Sequence, residues 1–198
     1  MADEKRLIKK AQKGDVDAFQ QIITEYQAIV YNISYRYAGN FHDASDMAQE
    51  VFLKMFRSIN TFRFQSKFST WIYRVATNTC LDLVKKQKKS APTVSIDDRF
   101  EDEEGSAFGS EIADSRYSPE DRTEEAETRD VVNRAIGRLP DDYKTAVILR
   151  DIRGLSYDEI AEITDCSVGT VKSRISRARK NLREILLEDR ELFEKYFV

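Results

Sequence analysis

From Ser90 to Thr128 the chain carries 13 Asp/Glu against 3 Lys/Arg, with a Pro near each end and no sustained apolar period. A stretch so charged and so poor in apolar surface cannot bury enough to offset the entropy of ordering it. It reads as a flexible acidic linker, placed at 90–123, and divides the chain into a first block over 1–89 and a second over 124–198. At 198 residues two small domains fit. Only 7 Gly and 3 Pro are present, too few for the many turns of an all-β chain. The expected fold is all-α: two small helical domains on a tether.

No run approaches the roughly 18 apolar residues of a membrane span, and the start Met1-Ala-Asp-Glu-Lys-Arg lacks a signal-peptide core. Cys80 and Cys166 are too few for a disulfide framework. With His42 the sole histidine, they make no metal-ligand cluster. Reduced thiols in a cytoplasmic protein without metal or cofactor are expected, Cys80 and Cys166 serving as small buried hydrophobes. There is no glycine-rich phosphate loop and no nucleophile–base constellation, which argues against an enzyme with a small-molecule substrate.

In the first block Ala18-Phe19, Ile22-Ile23, Tyr26, Ile29-Val30 and Ile33 recur at spacings of three and four, predicting a helix over 16–38 that Gly39-Asn40 breaks. Asp43 then precedes a second stripe, Ala44, Met47-Ala48, Val51-Phe52 and Met55, running to about Ser58. After a loop over 60–67, Ser69 or Thr70 is placed to cap a third helix bearing Ile72, Val75-Ala76, Cys80 and Leu83-Val84. The second block is expected to hold helices over 124–138 and 143–150. Ser156, with Glu159 three residues on, forms a capping-box pattern before Ile160, Ala161 and Ile163. A short turn, Thr164-Asp165-Cys166, leads to Ser167, the expected N-cap of a helix from Val168 to about Leu187. That pair of helices is a helix-turn-helix.

The net charge of −3 hides a basic segment: 167–183 holds Lys172, Arg174, Arg177, Arg179, Lys180 and Arg183 with no acid. Such a segment is the footprint of a phosphate-backbone binder. Lys172, Ser173, Ser176 and Arg177 would face outward, able to reach base edges and phosphates in the major groove; a solvated basic helix in an ordinary bundle is the competing reading. The loop and third helix interleave Phe62, Arg63, Phe64, Lys67, Phe68, Trp71, Tyr73 and Arg74. Unstacked bases lie well on aromatic rings while cations follow the backbone, which suits single strands. Trp71, Arg74 and Asn78 share a helix side opposite Ile72, Ala76 and Cys80 and are expected to stand free for a ligand, though aromatics beside a helix are usually core. Asp43, Asp46 and Glu50, with Gln49, form an acidic edge that either meets a partner or is merely solvated.

Three segments together resemble the extracytoplasmic-function sigma factors of bacterial RNA polymerase, the envelope-stress type above all. They are Asp43-Ala-Ser-Asp-Met-Ala-Gln-Glu-Val-Phe52, Phe68-Ser-Thr-Trp-Ile-Tyr-Arg-Val-Ala-Thr-Asn78, and Leu155-Ser-Tyr-Asp-Glu-Ile-Ala161 with Asp165-Cys-Ser-Val-Gly-Thr-Val-Lys-Ser-Arg-Ile-Ser-Arg-Ala-Arg179. The resemblance implies a promoter-melting domain in the first block and a domain reading the upstream promoter element in the second. It makes Asp43, Asp46, Gln49, Glu50, Phe52 and Lys54 candidates for docking on the clamp helices of the polymerase largest subunit, the flap being a further contact. Phe62, Arg63, Phe64, Lys67, Phe68, Trp71, Arg74 and Asn78 become candidates for capturing the melted downstream element. Ser167, Thr170, Lys172, Ser173, Arg174, Ser176 and Arg177 become candidates for the upstream element, read partly through DNA shape. An anti-sigma factor, often membrane-anchored in this family, is an implied partner. The chain departs from the envelope-stress type at Phe64-Gln65, where a Gly-Asp-like pair is usual, and at Ser176. A stand-alone helix-turn-helix regulator and a single-strand chaperone are the readings from other classes.

Overall fold

The computed structural model describes residues 2–90, 128 and 130–188. The acidic connector from 91 on, the expected helix start at 124 and residues 189–198 lie outside them. In the first unit α1 (Ala2–Ala11), α2 (Val16–Ala38), α3 (Phe41–Ser58) and α4 (Phe68–Ser90) pack together, with one 3₁₀ turn, Ile59–Thr61, after α3. In the second, α5 over 130–137 precedes α6 (Asp141–Val147), which runs on as a π turn over Ile148–Ile152; α7 (Tyr157–Thr164) and α8 (Val168–Glu188) follow. All regular structure among the described residues is helical.

Local chemistry sets the boundaries. Asp15 caps α2 by accepting from the Ala18 N–H at 3.0 Å. Gly39 ends α2 at φ 83°, a left-handed conformation that glycine adopts without a Cβ penalty, its N–H donating to the Tyr35 carbonyl. Asn40 then caps α3 through the Asp43 N–H at 2.9 Å, so α3 starts earlier than the acids suggested and His42 falls in its first turn. Helix α4 likewise starts at Phe68, ahead of Ser69 and Thr70. Thr70 is buried instead of capping. Helix α1, which the apolar pattern did not suggest, has Asp3 and Glu4 in its first turn and Lys9 and Lys10 in its last, as the helix dipole favours.

Ile22, Val30, Ile33, Val51, Met55, Ile72, Ala76 and Cys80 fill the first core; Ile136, Leu149, Ile160, Ile163, Val171, Ile175 and Ala178 fill the second. The two cores meet in one continuous apolar cluster, because α4 packs directly on α7. Polar contacts secure the junction. The buried Tyr37 hydroxyl lies 2.6 Å from Thr145 Oγ1, Lys88 Nζ lies 3.1 Å from Asp141, and Lys67 Nζ lies 3.0 Å from Glu159. Arg74 donates to the Glu162 carbonyl, with the Glu162 carboxylate 4.0 Å away. The two helical units are therefore closed on each other.

Candidate nucleic-acid interface

Helix α7 begins with the capping box that the sequence suggested. Ser156 Oγ accepts from the Glu159 N–H at 3.2 Å, and the Glu159 carboxylate accepts from the Ser156 N–H at 3.0 Å. Those bonds, the Ser156 backbone N–H first, together with Lys67, hold the Glu159 carboxyl down to about 2. Asp165 closes α7 in the left-handed region at φ 51°, and the Cys166 N–H returns to the Ala161 carbonyl at 3.1 Å, making the tight turn. Ser167 Oγ accepts from the Thr170 N–H at 3.1 Å and starts α8.

Helix α8 turns Val171, Ile175 and Ala178 inward, each 2% exposed or less. The same rotation sets Lys172, Ser173, Ser176 and Arg177 on the exposed side. Among the upstream candidates Arg174 is spoken for, since its guanidinium lies 2.7 Å from Asp142 and 3.9 Å from Cys166 Sγ. The Ser167 and Thr170 hydroxyls, 2.9 Å apart, serve the cap. Arg179 forms a two-pronged pair with Asp151 at 3.1 and 2.5 Å, which raises its pKa, and so braces α8 against the π turn. Lys172 lies 5.9 Å from the Tyr157 ring, which Arg150 covers at 4.8 Å. An outward row remains, the cations of Lys172 and Arg177 with the Ser176 hydroxyl, and Ser173, whose hydroxyl donates to the Thr170 carbonyl at 2.9 Å and keeps its oxygen as an acceptor. Cations and hydroxyls suit guanine edges and phosphates.

The loop before α4 is built differently from the sequence expectation. Trp71 does not stand free: its ring stacks on Phe68 at 5.3 Å and is 9% exposed. Phe62 and Phe68 are buried with it, edge to face at 5.0 Å, and Tyr26 closes the cluster 5.7 Å from Phe68. Rings so close gain more from each other than from water, so spacing along a helix could not by itself expose them. Phe64, at φ 58°, is the half-buried ring of the group, 4.8 Å from Phe62. A bulky residue at positive φ is strained. The conformation leaves the ring at the surface beside the exposed Arg63 and Lys67. Asn78 is exposed, whereas Arg74 and Lys67 are engaged by α7.

Between the units lies a cavity of about 80 Å³ lined by Thr77, Asn78, Asp142, Thr145, Thr164 and Arg174 among others. Thr77 Oγ1 is buried there without a protein partner, and the space is large enough for water. The junction thus brings Asn78, from the downstream set, to the same cavity as Arg174, from the upstream set.

On α3, Asp46, Gln49, Glu50 and Lys54 are exposed, and Phe52 packs partly into the core. Asp43 accepts from the Asn40 side chain at 2.9 Å and belongs to the cap. The pattern reading missed Leu53 and Phe56, large apolar side chains 47% and 46% exposed on the same outer helix. Their signal was available: both fall outside the inward stripe of Met47, Val51 and Met55. An edge mixing carboxylates with exposed apolar side chains suits protein contact better than solvation alone.

Among the described residues no helix is long and apolar enough to cross a membrane, and no group of three His, Cys, Asp or Glu side chains could hold a metal ion.

Residues 22–90 match the family model for sigma-70 region 2, and residues 129–182 that for sigma-70 region 4. The ECF RNA polymerase sigma factor SigW of Bacillus subtilis is 41% identical over 182 residues, 92% of this chain and 96% of that one. The ECF RNA polymerase sigma-E factor of Escherichia coli K12 is 40% identical over 175 residues, 88% of this chain and 89% of that one. In fold, the chain resembles CnrH, solved with the cytosolic domain of CnrY, at a TM-score of 0.63 and 22% identity over 94% of this chain and 98% of that one. It also resembles the sigma factor RpoE of Bartonella quintana, solved with the anti-sigma factor NepR, at 0.61 and 22% over 85% and 96%. The chain belongs to the ECF RNA polymerase sigma factors.

Proposed function

We propose that this sigma factor reads two promoter elements with two separate surfaces, the exposed row on α8 and the loop-α4 region, and docks on core polymerase through α3. The chain directs transcription initiation and is not an enzyme. In this reading residues 1–89 melt the downstream element, 124–198 read the upstream element, and 90–123 connect them. Lys172, Ser173, Ser176 and Arg177 contact the duplex. Phe64, Arg63, Lys67 and Asn78 meet the melted strand, with Phe62, Phe68 and Trp71 as the packed base of that site. Each base stacked on an aromatic ring gains about 1–3 kcal/mol, enough to offset an unpairing cost of a few kcal/mol without fuel. Asp46, Gln49, Glu50, Leu53 and Phe56 face the polymerase clamp.

The observation that carries the proposal is the division of labour in charge: α8 turns cations and hydroxyls outward while α3 turns carboxylates and apolar side chains outward. One surface suits DNA and the other a protein. The closed junction adds a condition, because Lys67 and Arg74 must leave Glu159 and Glu162 before they meet a strand. The same proposal includes an anti-sigma partner, supported by RpoE of Bartonella quintana, a chain of this fold solved with an anti-sigma factor. It places the protein in the cytoplasm, held at the inner membrane face when its partner is anchored there, with an envelope-stress regulon as output.

Run-off transcription with core polymerase, with and without this chain, on a pooled promoter library tests the reading. New start sites that depend on the chain are expected. Tight specific duplex binding by the chain alone, with no polymerase-dependent start sites, would make it a conventional regulator.

A further inference from the structure

Lys5, Arg6, Lys9, Lys10 and Lys13 line one open groove of about 470 Å³ on α1 and the turn after it. All five are exposed, and no acid occurs between residues 5 and 13. None of them forms an ion pair among the described residues. Glu4, the acid just before them in the chain, accepts from the Tyr26 hydroxyl at 2.5 Å. Lys5 with Lys9 and Arg6 with Lys10 stand one helical turn apart, where like charges repel. An anion in the groove would relieve that repulsion.

The groove's position says which anion. Gln12 Nε2 donates to the Ile59 and Phe62 carbonyls at 3.0 and 2.9 Å, tying the end of α1 to the base of the aromatic loop. Lys5 Nζ sits 5.5 Å from the ring of Phe64, the half-buried member of the aromatic cluster. A surface ring flanked by Arg63 and Lys67 therefore continues without a break into five further cations. Aromatic faces for bases beside a cationic track for the backbone make a single-strand site. We propose that α1 holds the phosphate backbone of the single strand whose bases meet the aromatic loop, with Lys9, Lys10 and Lys13 as phosphate contacts. The proposal rests on the single-strand role of that loop.

The test is fluorescence anisotropy of a labelled oligothymidine of about 12 nucleotides, within the roughly 4–16 that such sites span, on the full chain over a range of salt. Each phosphate contact to a single strand contributes about 0.7 to the slope of log K against log salt. A K9Q/K10Q/K13Q variant should bind more weakly at low salt with a slope shallower by about 2. A K85Q/K86Q/K89Q variant, which removes the same charge from the end of α4, should keep the slope. Equal slopes for α1 variant and unaltered chain, or equal losses in both variants, would overturn the proposal. So would an α1 variant that loses affinity for an oligoglutamate peptide but not for the oligonucleotide. Failure of the unaltered chain to bind any single strand would instead count against the role of the loop. Glutamine keeps helix propensity at exposed sites, and circular dichroism of each variant checks the fold.

Discussion

The junction between the units turns on one buried hydroxyl pair, and its hydrogens can be assigned. Thr145 Oγ1 donates to the Asp141 carbonyl at 2.9 Å, so its single hydrogen is committed, and at 2.6 Å Tyr37 must be the donor to Thr145. Burial raises the Tyr37 pKa and keeps the phenol protonated for that task. Tyr37→Phe removes the donor and leaves Thr145 still bonded, so it should cost the closed form about 0.5–1.5 kcal/mol, roughly 2- to 12-fold in the closed–open ratio. Thr145→Val leaves the phenol, 6% exposed, without an acceptor, and should cost about 1–3 kcal/mol, roughly 5- to 150-fold. The double variant replaces both partners by apolar groups of like shape and should recover most of the loss. Energy transfer between dyes on the two units, measured for all four proteins, reads the ratio. Purely additive effects, with the double variant the most open, would refute the donor assignment and the pairing with it.

Three further outcomes follow from separate features. Glu159 is held down to about 2 against 4.5, so its contribution is complete above about pH 5 and is lost as pH falls toward 2; melting curves across that range should be flatter for Glu159→Gln. At Asp165, φ 51° suits glycine and penalises β-branching, so Asp165→Val should lower stability by about 1–2 kcal/mol and Asp165→Gly should not, by denaturant titration. Burial pushes the Cys80 thiol up to about 12 while Cys166 is partly exposed, so iodoacetamide should label Cys166 and spare Cys80 in the native chain, by mass spectrometry.

Helices α2, α3, α4, α7 and α8 were legible because each carries an apolar stripe at helical period, and Ser156 with Glu159 announced its own cap. Helix α1 escaped because Leu7, Ile8 and Ala11 are too few apolar positions to set a period among five cations. The closed junction was invisible for another reason. Tyr37 and Thr145 lie 108 positions apart, and Lys67 and Glu159 lie 92 apart. Each is an ordinary residue on its own helix or loop, and nothing in local spacing encodes which distant surface it meets. Trp71 shows the limit of periodicity from the other side: its face was read correctly as opposite Ile72, but a loop folded over that face and buried it. The Phe64-Gln65 pair, read as a departure from a Gly-Asp-like pair, falls on a left-handed backbone position at Phe64, where a glycine would be relaxed and phenylalanine is strained.

The apolar cluster that runs unbroken from Ile8 to Ala178 makes each unit a support for the other. Small helical units bury a modest share of their surface alone, so in the unbound chain they should lose structure together, in one cooperative step. Once pulled apart, each must stand on its own core, and its helices should open locally at lower free energy. Release from closure would then register as faster cleavage by a dilute protease, whereas any partner that grips the closed form would slow it. The same junction that ties Lys67 and Arg74 to α7 thus sets how long an idle molecule survives.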